Sequence, residues 1–420
     1  MINSFEHTYI EHIFSEKKLK EFNKLFKKQD PKYLGLHQEN EVKLKTHYYI
    51  GYRWLDDAHK EYIHVSPKEG KAGKQADYLK MFVCCLKDPV VSKHLDETYK
   101  IFFDEKWIDI EEDKDEITPF LVLQFLHIVK DISKKGLKKG YIKVTENLTA
   151  KMKGKILVNQ TIKQNHFQNR LDKTVCSHQV FTVNCIENRI LKTALLQCSR
   201  YLFGMGSEVE KLLKLNLGVF ESVESKVVSN NDFRKIKHSP FYKEYRHALD
   251  LGQMIFKSFG FTLSSSKDTY QQKIPPFYID MPELFERYVE IKLREQYKDK
   301  LQAGYGRKNG NSYVWGLRPD FIVKDEKLII DAKYKYWFDV ESEDNKFKDD
   351  FQQLSLYGRV NQIRDDIGLS DNEEAGLLFI YPKTNGEINL NFENIKDDED
   401  EVTSKFAQIY RVGIQIPPQE

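Results

Sequence analysis

Apolar positions along the chain alternate between two periods, and the changes of period outline its elements. HYYIGYRW (47–54) and EYIHVSPK (61–68) repeat every second residue, as half-buried strands do. ADYLKMFVCCLK (76–87) changes to helical spacing. TPFLVLQFLHIVKDISKK (118–135) and ENRILKTALLQCSRYLF (187–203) keep that spacing, with Asn184 or Asn188 near the start of the second helix. In MPELFERYVEIKLREQY (281–297), Leu284, Phe285, Tyr288 and Ile291 share one helix face. FIV (321–323) and LIIDA (328–332) are apolar on both faces, which marks interior strands. A helix around DDFQQLSLYGRVNQI (349–363) follows, then strands at AGLLFIYPK (375–383) and YRVGIQIP (410–417).

Grouped in order, these elements predict a multidomain α+β or α/β chain. Residues 1–110 form a mixed β/α domain, 111–262 a helical middle domain, and 277–420 an α/β domain with a mixed sheet. A Ser cluster and a Pro pair in TLSSSKDTYQQKIPP (262–276) mark the last boundary. The acidic runs DEKWIDIEEDKDE (104–116) and DDEDE (397–401) read as solvated segments. A length of 420 residues suits two or three domains.

The formal net charge is only +2, so any nucleic-acid contact must come from a local patch. One exists: ten lysines lie between Lys130 and Lys163, against the two acids Asp131 and Glu146. Lys138, Lys139, Lys153 and Lys155 are its candidate phosphate contacts, and a solvated loop is the competing reading. Five cysteines without a CxxC pair argue against a zinc site or disulfide framework and suit a reducing cytoplasm. The first residues lack a secretory leader pattern, and no run of about 18 apolar residues occurs. The expectation is a cytoplasmic protein without a membrane span. GKAGK (70–74) has the wrong length for a P-loop and no Ser or Thr after it, so no nucleotide site is expected.

The hairpin LRPDFIVKDEKLIIDAKYKYW (317–337) carries the candidate chemistry. With its turn at Asp325-Glu326, residues whose numbers sum to 651 face each other. Ile322 then opposes Ile329, and Asp320 opposes Asp331, with Lys333 on the same face. Two carboxylates so placed repel, and burial adds to the cost. A divalent cation, Mg²⁺ or Mn²⁺, reverses that interaction, and a lysine beside it could serve developing phosphoryl charge. Ordinary ion pairs with Arg318 or Lys333 are the alternative. Glu286 lies just off the apolar face of its helix and is a third candidate ligand, with Glu283 and Glu290 as rivals. Gln353 and Tyr357 form an i,i+4 pair on one helix face.

At P-D-x₁₀-D-A-K after a Glu-bearing helix, followed by Q-x-x-x-Y, the chain resembles PD-(D/E)xK nucleases. LFERYVE, LRPDFIVKDEKLIIDAKYK, DDFQQLSLYG and LLFIYPK are similar to the nuclease domain of the McrC family. McrC is the endonuclease subunit of the McrBC modification-dependent restriction system. YIGYRW, YIHVSPK, GLKKGY, MKGKI and NRILKTAL extend the resemblance upstream, with Lys153 where an arginine is more usual. The resemblance implies Asp320, Asp331 and Glu286 around Mg²⁺, Lys333 as the catalytic lysine, and Gln353 and Tyr357 in support. It also implies double-stranded DNA as substrate and a hexameric AAA+ GTPase partner, McrB, which reads methylated cytosine. The N-terminal part would dock in that ring and stimulate GTP hydrolysis. Two other readings remain open: a nuclease-inactive activator of such a ring, and a free-standing repair nuclease.

Overall fold

The computed structural model describes residues 1–10, 34–40, 43–56, 59–68, 76–102, 105–111, 117–199, 207–225, 230–233, 236, 242–260, 271–303, 317–335, 348–383, 390–396 and 409–417. The chain forms two compact units. One joins Met1–Ile108 with Pro275–Glu420, and the other is Asp109–Ile274.

The first unit opens with β1 (Ile2–Phe5), β2 (Tyr49–Trp54), β3 (Tyr62–Ser66), α1 (Tyr78–Lys87) and β4 (Tyr99–Ile101). The second unit holds α2 (Ile117–Lys135), β5 (Gly140–Thr149), β6 (Lys155–Ile156), β7 (Lys173–Thr182), α3 (Ile186–Cys198), α4 (Ser207–Val219) and α5 (Lys243–Gly260). The chain then re-enters the first unit through β8 (Phe277–Asp280), α6 (Met281–Tyr297), β9 (Leu301–Ala303), β10 (Phe321–Val323) and β11 (Leu328–Ala332). It ends with α7 (Lys348–Tyr357), α8 (Asn361–Asp366), β12 (Gly376–Lys383) and β13 (Ile409–Gln415).

The re-entry changes the expected division. The sequence pattern separates residues 1–110 from 277–420, yet β8 completes the N-terminal sheet, whose order is β1-β3-β2-β8-β4. Tyr278 pairs with Gly51 on one side, and Ile279 pairs with Tyr99 on the other. Gly51 makes this approach possible: at φ +133°, a Cβ there would lie 2.4 Å from the Phe277 carbonyl oxygen. At its end Asp280 caps α6, its carboxylate accepting from Glu283 N at 3.2 Å, with Pro282 in the first turn. The helix that carries Glu286 therefore starts directly from the N-terminal sheet.

The second sheet of this unit has the order β9-β10-β11-β12-β13. Its β9–β10 and β10–β11 pairs are antiparallel, and β11–β12 and β12–β13 are parallel, so the mixed sheet expected from the pattern is present. Ile322, Ile329, Leu354 and Tyr357 share one buried cluster, which seats α7 against the hairpin.

The second unit departs from the helical expectation. Its helices are there, but so are two ten-residue strands, β5 and β7, paired antiparallel along their whole length. Ile142, Val144 and Leu148 repeat with period two on β5, a strand signal lying inside the lysine-rich run. Of the expected linker, residues 262–270 lie outside the described residues, and Gln271–Ile274 form a short strand. GKAGK (70–74) and DDEDE (397–401) also lie outside them. Among the described residues, no helix is long and apolar enough to cross a membrane.

Candidate active site

The site is built at the open end of the β10–β11 hairpin. Ile322 pairs with Ile329 and Phe321 with Ile330, the register expected from the sequence. One step further, Asp320 faces the end of β11, and its Oδ2 accepts a hydrogen bond from Ala332 N at 2.7 Å. Asp331 is 2 % exposed. The sheet's own apolar residues thus withdraw Asp331 from water, with Asp320 half-buried beside it.

Lys333 answers Asp331. Its Nζ lies 2.7 Å from Asp331 Oδ2, an ion pair in which both groups are largely withdrawn from water. The ammonium also donates to Gln353 Oε1 at 3.3 Å. Gln353 Nε2 donates to the Tyr357 hydroxyl at 2.7 Å, and that hydroxyl donates to the Arg318 carbonyl at 3.1 Å. One directed chain of donors therefore runs from Lys333 through α7 back to the start of the hairpin. Such a chain polarises along its length and fixes the Gln353 amide orientation. Lys335 adds a second tie, its Nζ 2.5 Å from Asp350 Oδ2.

Of the four glutamates on α6, Glu286 is the one whose charge acts on Asp320. Its Oε1 accepts from Arg287 Nη1 at 3.1 Å. Glu283 also pairs with Arg287. Glu290 is wholly buried and is engaged by Arg294 at 2.7 Å. Arg287, itself without exposed surface, is a site component that pattern reading missed. An arginine directly after Glu286, with Glu283 and Glu290 four and three residues away on the same helix, was the available signal.

The electrostatics reflect crowding. Burial raises the Asp320 carboxyl well above the usual carboxylate range, and the charges of Glu286 and Asp331 raise it further; Lys333 and the Ala332 N–H oppose. Burial also raises Asp331, against the pull of Lys333. Burial alone would lower Lys333, but Asp331 and Asp320 outweigh it and the net shift is upward. Tyr357 is pushed up to about 12, by burial first and then by Asp331 and Asp320. Lys333 is therefore an ammonium near neutral pH. The side chains that could hold a divalent cation are Asp320, Asp331 and Glu286. Among the described residues, no three acids, histidines or cysteines form a ready-made metal cage.

The four basic-patch lysines are not brought together as one surface. Lys139, Lys153 and Lys155 are exposed. Lys138 is not: its ammonium lies 2.7 Å from Glu187, with 14 % of its side chain exposed and 7 % of the glutamate's. Its backbone N–H donates to the Tyr245 hydroxyl at 2.8 Å, and its carbonyl accepts from Asn188 Nδ2 at 2.9 Å. Lys138 is a fixture of the second unit rather than a free phosphate contact.

A family model described as McrBC 5-methylcytosine restriction system component matches residues 44–382. The chain belongs to that family. The matched span of this McrBC component contains every residue of the hairpin site and of the lysine-rich run. Among solved structures, the chain is similar to a Thermococcus gammatolerans half-complex of McrB AAA+ hexamers with bound McrC. That likeness is 16 % identity and a TM-score of 0.38, over 99 % of this chain and 94 % of that one. The cryo-EM structure of the Thermococcus gammatolerans McrBC complex is similar at 17 % identity and a TM-score of 0.32, over 70 % of this chain and 86 % of that one. No curated protein matches the chain.

Proposed function

We propose that this McrBC component is the endonuclease subunit of its restriction system and hydrolyses phosphodiesters of double-stranded DNA at the β10–β11 hairpin. The observation that carries the reading is the placement of Asp320 and Asp331 across one buried hairpin end, with the Lys333 ammonium on the same face. Repulsion between acids that no neighbouring cation fully offsets is costly in a purely structural role. It is the expected cost of a site kept ready for a hard cation.

The donor set fits such an ion. Carboxylate oxygens are the ligands Mg²⁺ and Mn²⁺ select, and one or two suffice when water completes the shell. Asp320 and Asp331 would hold it, with Glu286 reaching in from α6. A bound divalent cation supplies Lewis-acid charge for the transferring phosphoryl group. Lys333 presents an ammonium to the negative charge that develops there. Gln353 and Tyr357 hold Lys333 in place through the donor chain, and Lys335 and Asp350 brace the same segment. Energy from GTP would come through an McrB-like AAA+ hexamer, which residues 1–110 would contact.

The test is Asp331→Ala, assayed on 5-methylcytosine DNA with the partner GTPase, GTP and Mg²⁺. DNA cleavage falls at least about a hundredfold, the scale set by loss of electrostatic stabilisation, while stimulation of the partner's GTP hydrolysis stays. Undiminished cutting by this variant would remove the hairpin as the active site. Assembly and GTPase stimulation by a wild-type chain that never cuts would favour an activator without nuclease function. Robust cutting with neither partner nor GTP would favour a free-standing nuclease.

A further inference from the structure

The residue after Lys333 points the other way. Tyr334 turns from the α7 side of the sheet toward α6 and the N-terminal sheet, where its ring packs on Phe285 at 5.7 Å and edge-on against Tyr48 at 6.1 Å. Its hydroxyl donates to Glu6 Oε1 at 2.8 Å. Glu6 follows β1, 328 residues away in sequence, and has no exposed surface. The same oxygen also accepts from Lys68 N at 3.1 Å. The other oxygen, Oε2, is buried with no hydrogen-bond partner.

This arrangement is lopsided in an informative way. A buried polar atom without a partner costs free energy, so a carboxyl with one oxygen doubly engaged and the other bare is retained for the engaged one. What it engages is the segment that carries the site. Lys333 N donates to Ile380 O at 2.8 Å, and Lys335 N to Lys333 O at 2.8 Å, so the backbone on either side of Tyr334 is already constrained. Tyr334 locks the remaining freedom, rotation of this segment about its own axis. That rotation would swing Lys333 away from Asp331 and Gln353.

We propose that Glu6 is a positioning residue for the hairpin site: its buried carboxyl anchors the Tyr334 hydroxyl and thereby fixes the backbone that presents Lys333. The inference rests on the nuclease reading for its consequence, though not for its geometry. It ties the N-terminal strand to the site by one hydrogen bond, so movement of β1 reaches Lys333 directly.

The groups facing Glu6 give the anchor a second signature. Burial raises its carboxyl to about 7, the Lys68 amide, the Tyr334 hydroxyl and the Lys68 charge pull the other way, and Asp280 adds to the rise. Neighbouring His7, stacked on Tyr48 at 4.4 Å, is pushed down to about 4, chiefly by burial, and is neutral there. Because the folded value of Glu6 is raised, its contribution to stability is full at low pH and is lost as pH rises through about 7.

The experiment compares Tyr334→Phe, Glu6→Ala and Glu6→Gln in the full chain. Two readouts are taken: hydrogen–deuterium exchange across 328–335, and steady-state cleavage in the complex with the partner GTPase, GTP and Mg²⁺. Tyr334→Phe and Glu6→Ala are expected to speed exchange of the Lys333 segment about tenfold, as local opening frees it. They should lower kcat about tenfold or more, the effect of a misplaced group, with KM for DNA and partner GTPase stimulation unchanged. Glu6→Gln keeps an accepting Oε1 and should match wild type in both, while losing less stability as pH rises from about 4.5 to about 7. Wild-type exchange and kcat in Tyr334→Phe would overturn the proposal, as would a Glu6→Gln variant as impaired as Glu6→Ala. A wild-type chain that does not cut DNA would count against the nuclease reading instead, and the exchange measurement would still decide the anchor.

Discussion

Two sheets of this chain carry charged residues, and they carry them on opposite terms. In the sheet β9-β10-β11-β12-β13, β10 and β11 are buried along both faces, so Asp331 is almost wholly withdrawn from bulk water. In the three-stranded sheet, β5 is largely open to solvent, with Tyr141 71 % exposed and its cross-strand partner Phe181 56 % exposed. A lysine on that surface costs almost nothing, so its presence says little. A carboxylate in the buried sheet costs free energy, so its presence asks for a reason. Counting lysines points to the second sheet, and weighing costs points to the first.

Substitutions can break or sharpen this contrast. The largest effect, after the loss of cleavage in Asp331→Ala, falls on packing. Ile329→Ala should cost about 2–5 kcal/mol, because the buried face cannot close over the cavity. Tyr141→Ala on the open sheet should cost under about 1 kcal/mol. Equal losses in denaturant melts of the two variants would erase the distinction.

Lys138→Ala comes next. It strands the buried Glu187 carboxylate and should cost about 3 kcal/mol. Lys139→Ala, one residue away and exposed, should stay within about 0.5 kcal/mol. A neutral Lys138→Ala would return that residue to the surface patch.

Asp320→Asn tests the crowding itself. The Asp320 carboxyl is raised, so the stability tied to its neutral form is present at low pH and lost as pH rises through the shifted value. Without divalent ions, the variant should therefore melt above wild type at pH 8, with the gap closing toward pH 4. A gap of the opposite sign would show that the acids are not strained. Smallest of all, neutralising Lys139, Lys153 and Lys155 together should leave the melting temperature alone. If they touch phosphates, the slope of log binding constant against log salt falls by about 0.9 per lost contact. An unchanged slope assigns them to plain solvation.

What could be read ahead of the structure follows the range of the interactions. The hairpin register was legible because β10 and β11 are adjacent in sequence and apolar throughout, so the turn alone decides who faces whom. Strand β5 was written in Ile142, Val144 and Leu148, but the lysines between them drew attention to charge instead of period. Lys138 read as a free cation because its partner, Glu187, lies 49 residues on, where spacing says nothing. The Tyr334–Glu6 bond and the placing of β8 between β2 and β4 were out of reach for the same reason. Nothing local in FYID says that its partners lie near residues 50 and 100.

That placing of β8 has a consequence in time as well as space. A ribosome releases β2 and β4 long before it makes Phe277–Asp280, and at about 5–20 residues per second the wait is roughly ten to forty seconds. During that interval both strands expose unpaired edges to anything nearby. The intervening 166 residues of the second unit are made in the same interval and can reach their own fold first. The nascent chain thus carries an unfinished sheet past a finished neighbour. A chaperone that shields strand edges would matter more to this protein than its final fold suggests.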